Sequence, residues 1–276
     1  MLRLKLTKFL KNRGIFTQID GWQIHFMNAN TDEVLNRENS ITDLMQQMSN
    51  PTGILKQDHR SYVATFEHDK TKYVIKKFTL QNTWFWFRWT SVLFESLGEI
   101  AYRNSILLQE DGLIIPEPIM LFQRVRNLTI SHSWMIYKYM DGEELLSTDV
   151  IDIVSFVKSM HKQGWVHRDA HPANFLRTAN GIATLDPIRA TRSRNMYLRA
   201  CDVLHMMRDM PKAGELYDDD KLGVWLKISL FSHNLGKIFR LIKQKARAIF
   251  GNSTHKTDAN SMSHNPVNTE SVRKND

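Results

Sequence analysis

Cysteine is nearly missing from this chain. Cys201 is the only one among 276 residues, so no disulfide can close within it, and the composition suits a reducing compartment. Long apolar runs are missing too, and no uninterrupted stretch approaches the roughly 20 residues that a bilayer-spanning helix requires. Residues 1–10 are apolar and basic, but Lys5 and Lys8 interrupt them, so they lack the pattern of a secretory signal. Acidic residues are outnumbered. There are 37 Lys and Arg against 29 Asp and Glu, a formal net charge of +8, with a pI of about 9.5. A basic surface suits an anionic partner: nucleic acid, a membrane, or a phosphorylated glycolipid. No recognisable nucleic-acid module is present, so nucleic acid is not the expected partner. The length suits one two-lobed domain with a substantial core.

Among the residues that are there, His167-Arg168-Asp169-Ala170-His171-Pro172-Ala173-Asn174 carries the strongest chemical signal. It resembles the catalytic loop H-R-D-L-x-x-x-N of protein kinases. There the Asp lies beside the acceptor hydroxyl to take its proton. The Asn turns back to hold a metal ion on the nucleotide phosphates. One loop must present both groups, which constrains its length. A His- and Asp-rich surface loop is the bland alternative, and an Asn at the right offset argues against it.

Further elements follow in kinase order. Ile182 to Leu185 is a short apolar run ending in Asp186, with Asp-Pro-Ile where kinases have Asp-Phe-Gly. Asn180-Gly181 signals a hairpin turn, which would bring Asn174 and Asp186 together as metal ligands. Alone, Asp186 reads better as a strand-end cap, and the HRDAHPAN segment is what turns the reading to a metal ligand. Tyr73-Val74-Ile75-Lys76 resembles the kinase strand whose Lys holds phosphates, and Lys77 would face the opposite way. Leu97 to Gln109 has helical periodicity and a stop at Asp111-Gly112. Its Glu99 is the candidate partner of Lys76. A glycine-rich roof is missing. Where three glycines would cover the phosphates stands Gly53-Ile54-Leu55-Lys56-Gln57-Asp58-His59-Arg60-Ser61, with Gly53 alone. Lys56, His59, Arg60 and Ser61 can still reach phosphate, or form a solvated turn. Ser133 to Gly142 reads as a strand running into a hinge, where backbone groups at Lys138 and Tyr139 would meet adenine. Glu143 and Glu144 would then begin a helix, and Ile151 to His161 forms an amphipathic one.

The order Lys strand, Glu helix, Pro116-Glu117-Pro118, hinge, HRDAHPAN and Leu185-Asp186 resembles the kinase-like fold of bacterial lipopolysaccharide core kinases. The stretch Ile136-Tyr137-Lys138-Tyr139-Met140-Asp141-Gly142-Glu143-Glu144-Leu145 is similar to the hinge of the lipopolysaccharide core heptose(II) kinase family. The resemblance covers about residues 50 to 245. It implies an α+β, protein-kinase-like two-lobed fold and transfer of a phosphoryl group from ATP, with Mg2+, to a heptose of the lipopolysaccharide core. Asp169 would be the base, Asn174 and Asp186 the metal ligands, and Lys76 with Glu99 the phosphate anchor. Two departures stand out: the loop reads His-Arg-Asp, as in protein kinases, and the C-terminal tail is longer. Two rival readings are a small-molecule phosphotransferase of the aminoglycoside type and a non-catalytic pseudokinase. The missing glycines favour the last, and the complete set of Asp169, Asn174 and Asp186 opposes it.

The expected organisation is an N-terminal extension (1–45), a smaller lobe (46–140), a larger lobe (141–250) and a disordered tail (251–276) of Asn, Ser, Thr, His and Lys. Asp202 reads as a brace for the catalytic loop. Arg189, Arg192 and Arg194 read as acceptor-side contacts for phosphate or carboxylate, or as a solvated basic loop. Three segments suit an anionic inner-membrane surface: residues 1–13, the aromatic run at 84–89, and the basic amphipathic stretch at 226–250. Docking on the larger lobe is the favoured account of the last, and core packing accounts for the aromatic run as well as surface contact does. The expected location is the cytoplasm, peripheral to the inner face of its membrane.

Overall fold

The computed structural model describes residues 15–19, 21–26, 44–79, 94–126, 129–217, 222–232 and 234. The aromatic run at 84–89, residues 1–13, residues 235–250 of the basic stretch and the tail at 251–276 lie outside them. The chain forms two compact units, Met1–Leu226 and Lys227–Asp276, and the elements of both lobes belong to the first.

The smaller lobe is built on one antiparallel sheet. Its strands are β1 (Ile15–Ile19), β2 (Trp22–Phe26), β3 (Gly53–Gln57), β4 (Tyr62–His68), β5 (Thr71–Lys77), β6 (Pro118–Arg126) and β7 (Thr129–Lys138), in the spatial order β1-β2-β6-β7-β5-β4-β3. Strand β2 alternates strictly, with Trp22, Ile24 and Phe26 buried, as a half-buried strand should. The β4–β5 hairpin pairs Tyr62 with Lys77 through His68 with Thr71. Asp69 and Lys70 take positive φ angles of 48° and 61°, the backbone a tight hairpin turn requires. Trp22, Ile24, Phe66, Ile75, Phe122 and Ile136 belong to the core on one side of this sheet.

Helix α1 (Leu97–Glu110) packs on the other side, with Ala101, Tyr102 and Ile106 against Phe78, Leu121 and Met135. Its start is fixed by a capping box. Ser96 Oγ accepts from Glu99 N, and Glu99 Oε2 accepts from Ser96 N at 2.6 Å. Gly98 permits close approach to the sheet, because a Cβ there would lie 1.9 Å from Ser133 Oγ.

The larger lobe begins after β7. Glu143 and Glu144 form a short strand, β8, paired with Arg177 and Leu176, rather than the start of a helix. Gly142 lies hard against this hairpin, and a Cβ there would approach Arg177 O to 2.6 Å, so sheet pairing outweighs the acidic helix-start preference. Helix α2 (Val150–Lys162) follows, then β9 (Trp165–Val166), the HRDAHPAN segment, β10 (Phe175–Thr178), β11 (Gly181–Thr184) and β12 (Thr191–Arg192). Helices α3 (Met196–Asp209) and α4 (Ala213–Tyr217) follow, and Leu222, in a further helical stretch, joins the same core. Ile153, Val157, Phe175, Val203, Met206 and Tyr217 belong to its core.

Candidate active site

The β10–β11 hairpin brings the predicted metal ligands to one place. Phe175 pairs with Thr184 and Thr178 with Gly181, so the turn is centred on Ala179-Asn180, one residue earlier than the sequence pattern suggests. Leu185 N donates to Asn174 O at 2.9 Å, which sets Asp186 beside Asn174. Asn174 Nδ2 donates back to Asp169 O at 2.8 Å and leaves its Oδ1 as the acceptor atom. The loop is therefore tied to itself across the five-residue offset.

Asp202, on α3, holds the same loop from below. Its Oδ2 accepts from His167 N at 2.7 Å and from His161 Nε2 at 3.0 Å, while Oδ1 accepts from Arg168 N at 2.5 Å. Asp202 is completely buried, and Arg168 takes a φ of 63°. A buried carboxylate accepting backbone N–H groups fixes a left-handed turn that a non-glycine residue otherwise avoids. His167 Nε2 meets Thr184 Oγ1 at 2.8 Å. Burial lowers the His167 pKa, although Asp202, Asp186 and Asp169 pull it upward.

Lys76 reaches down from β5 and forms an ion pair with Asp186 Oδ2 at 2.8 Å. Burial raises the Asp186 pKa, but the charge and hydrogen bond of Lys76 outweigh it, with His167 and Ile188 N adding to the effect, and the net shift is downward. Lys77 faces the other way, its ammonium 4.6 Å from the Trp134 ring centroid. The expected pairing of Lys76 with Glu99 is not the arrangement present. The Lys76 ammonium is engaged by Asp186, and the Glu99 carboxylate closes the capping box at the start of α1. Ser96-x-x-Glu99 before an apolar run is itself a capping signature, so the competing role was visible in the sequence.

Helix α1 contacts the site through a residue that sequence reasoning missed. Asn104 Nδ2 donates to Pro187 O and to Ala190 O, both at 2.8 Å and buried. It clamps the segment just after Asp186. Nothing in the local pattern signals this, because the partners lie 83 and 86 residues away.

At the hinge, Lys138 N donates to Glu117 O at 2.9 Å. The neighbouring Pro116 and Pro118 carry no N–H to offer the Lys138 carbonyl. Tyr139 departs from the expectation: its N–H donates to Lys72 O at 3.0 Å, and its ring lies 3.7 Å from the Lys72 ammonium. Sheet pairing continues one residue past β7 and occupies that donor. Met140 is the next hinge residue, and it lines the same recess as Lys138 and Asp141.

A cleft of about 480 Å³ is lined by Lys56, His59, Arg60, Ser61, Lys76, Phe78, Leu97, Asp169, Asp186, Ile188 and Arg189. The expected base, phosphate anchor and metal ligand Asp186 therefore share one cavity with the glycine-poor turn. Arg189 belongs to it. Arg192 does not serve as an open acceptor contact: it pairs with Asp111, the C-cap of α1, through two guanidinium nitrogens, the Nε at 3.1 Å. Trp165 Nε1 donates to the same carboxylate at 2.6 Å. Among the described residues no cluster of three His, Cys, Asp or Glu stands ready for a metal. Asp186 Oδ1, however, is buried with no hydrogen-bond partner, a donor atom suited to a hard cation that takes only one or two protein carboxylates.

No family model and no curated protein matches the chain. Among solved structures it is similar to WaaP in complex with acyl carrier protein, at 13% identity over 82% of this chain and 99% of that one, with a TM-score of 0.43. It is also similar to the kinase domain of Mycobacterium tuberculosis PknI, at 18% identity over 58% of this chain and 74% of that one, with a TM-score of 0.36. The fold is the two-lobed, protein-kinase-like α+β arrangement: an antiparallel sheet with helix α1 packed on it, a connecting strand, and a mainly helical lobe carrying the HRDAHPAN loop.

Proposed function

We propose that this chain is an ATP-dependent phosphotransferase whose acceptor is a sugar hydroxyl, a heptose of the lipopolysaccharide inner core. One observation carries the reading: Asp169, Lys76 and Asp186 line a single cleft whose other charged side chains are basic. Asp169 would orient the acceptor hydroxyl and take its proton. Lys76 would exchange its Asp186 partner for phosphate oxygens. The adenine would lie at the hinge, against the Lys138 carbonyl and Met140 N–H. Asp186 Oδ1 and Asn174 Oδ1 would hold Mg2+, which when bound neutralises charge on the phosphates. The rest of the catalysis is positioning and charge stabilisation.

Purified protein with Mg2+ and ATP should phosphorylate a heptose-containing core acceptor, and Asp169→Asn should lower turnover by about a thousandfold or more while ATP still binds. Rapid transfer to an aminoglycoside would replace the acceptor assignment. ATP binding without transfer to any acceptor would point to the pseudokinase. The basic charge and a lipid-anchored acceptor would favour work at an anionic surface. No helix among the described residues is long and apolar enough to cross a membrane, so contact would be peripheral. Sedimentation with anionic vesicles should fall as salt rises; equal binding to neutral vesicles would remove this idea.

A further inference from the structure

The turn between β3 and β4 stands where a glycine-rich loop would present backbone N–H groups to phosphate, and three of its own, those of Asp58, Arg60 and Ser61, are already engaged within the turn. Asp58 Oδ1 accepts from Arg60 N at 2.8 Å and from Ser61 N at 2.7 Å. Asp58 N in turn donates to Ser61 O at 3.0 Å. Two further bonds tether the turn to the end of β5: Thr79 N donates to Arg60 O and Thr79 Oγ1 to His59 O, both at 3.1 Å. The turn is thus closed by its own aspartate, and its basic side chains are what it offers the cleft. Lys56, His59 and Arg60 line the cleft with Lys76 and Arg189. Among the lining residues, Lys56, Arg60, Lys76 and Arg189 bring four formal positive charges against the two of Asp169 and Asp186. Arg60 Nε donates to His59 Nε2 at 3.3 Å, which aligns the pair. Lys56 is tethered to the far oxygen of Asp58 at 3.4 Å.

We propose that this turn is a side-chain clamp for the nucleotide polyphosphate, with Arg60 and Lys56 as its charged contacts and Asp58 as the residue that positions them. The clamp deepens the phosphotransferase reading and rests on it. Cations on a closed turn bind phosphate through charge and guanidinium hydrogen bonds, where a glycine loop uses backbone dipoles. Such a site discriminates by phosphate count and is weakened by salt.

Calorimetric titration of the full chain with Mg-ATP, ADP, adenosine and a phosphorylated core acceptor tests this. Arg60→Ala should weaken ATP about tenfold, the worth of one charge-assisted contact, leave adenosine unchanged and shrink the preference of ATP over ADP. Arg60→Lys should recover part of the loss. Asp58→Asn keeps the oxygen that accepts from Arg60 N and Ser61 N but removes a negative charge beside Lys56. Losing the ionic tether on Lys56 should weaken ATP about twofold, whereas a purely structural aspartate would give no change. Unchanged ATP affinity in both Arg60→Ala and Lys56→Ala would overturn the clamp and leave the phosphotransferase reading standing. Weaker acceptor binding with unchanged ATP would also overturn it and assign the cations to an acceptor phosphate. Failure of the unaltered protein to bind Mg-ATP would overturn both.

Discussion

At the scale of single residues, the site depends on how one buried carboxylate is used. Asp202 accepts from two backbone N–H groups of the catalytic loop and from His161, and His161 Nδ1 in turn meets the hydroxyl of Tyr217. Asp202→Ala would leave those buried donors without an acceptor and remove the brace on a left-handed Arg168. The expected loss is about 3 kcal/mol or more, read as a lower urea midpoint at unchanged m-value. Asp202→Asn retains one acceptor oxygen and should lose less. Equal midpoints for the alanine variant and the unaltered protein would contradict the brace. Which residues were legible at this scale follows from distance along the chain. Asp169, Asn174 and Asp186 lie within one loop and hairpin, so spacing alone placed them together. Asn104 acts across more than eighty residues and was invisible. Glu99 carried two compatible local signals, and the capping role is the one adopted.

At the scale of elements, α1 is fastened at three points: its N-terminal capping box, Asn104 in the middle, and Asp111 at the C-terminal end. The last fastening is pH-dependent. The Arg192 hydrogen bond, then that from Trp165, hold the Asp111 carboxyl below its ordinary value of 3.8, against an opposing effect of burial. Because the folded pKa is the lower one, this carboxylate contributes stability that is fully present above about pH 4 and lost as pH falls through the folded value. Arg192→Ala should therefore destabilise at neutral pH, by no more than about 1 kcal/mol for so exposed an arginine, and the difference should vanish in strong acid. Thermal unfolding of both proteins from pH 7 down to pH 2 checks it; a gap that widens toward acid would refute the assignment. The elements themselves were readable where periodicity was strong, as for α1, α2 and the β4–β5 hairpin. The sequence misled at β8, where acidic residues suggested a helix and long-range pairing with β10 prevailed. Arg192 was read as an acceptor-side contact or part of a solvated basic loop, because nothing nearby in sequence reveals its partner Asp111.

At the scale of the whole molecule, the smaller lobe is larger than its motifs suggested. Residues 1–45 read as an extension outside the lobe, yet β1 and β2 extend its sheet, with Trp22 paired to Arg124 and Phe26 to Met120 on β6. Trp22, Ile24 and Phe26 are at most 7% exposed, and the Trp22 ring lies 4.4 Å from that of Trp134. Their alternation was present in the sequence. It went unread because the kinase-like motifs begin later, and nothing local shows which strand a detached hairpin will join. Deleting residues 1–26 would remove three core side chains, worth about 1.5–3 kcal/mol each, and expose β6 as an open edge beneath an apolar face. That loss is comparable with the entire stability of a typical domain, about 5–15 kcal/mol. Residues 27–276 should therefore be insoluble or lose cooperative unfolding, although every catalytic residue is retained. The substitution Ile24→Ala in the full chain gives a milder version, expected to cost about 2–5 kcal/mol while leaving ATP affinity intact in the folded fraction. A truncated chain that unfolds cooperatively at the temperature of the intact protein would show that the hairpin is an accessory and not a part of the lobe.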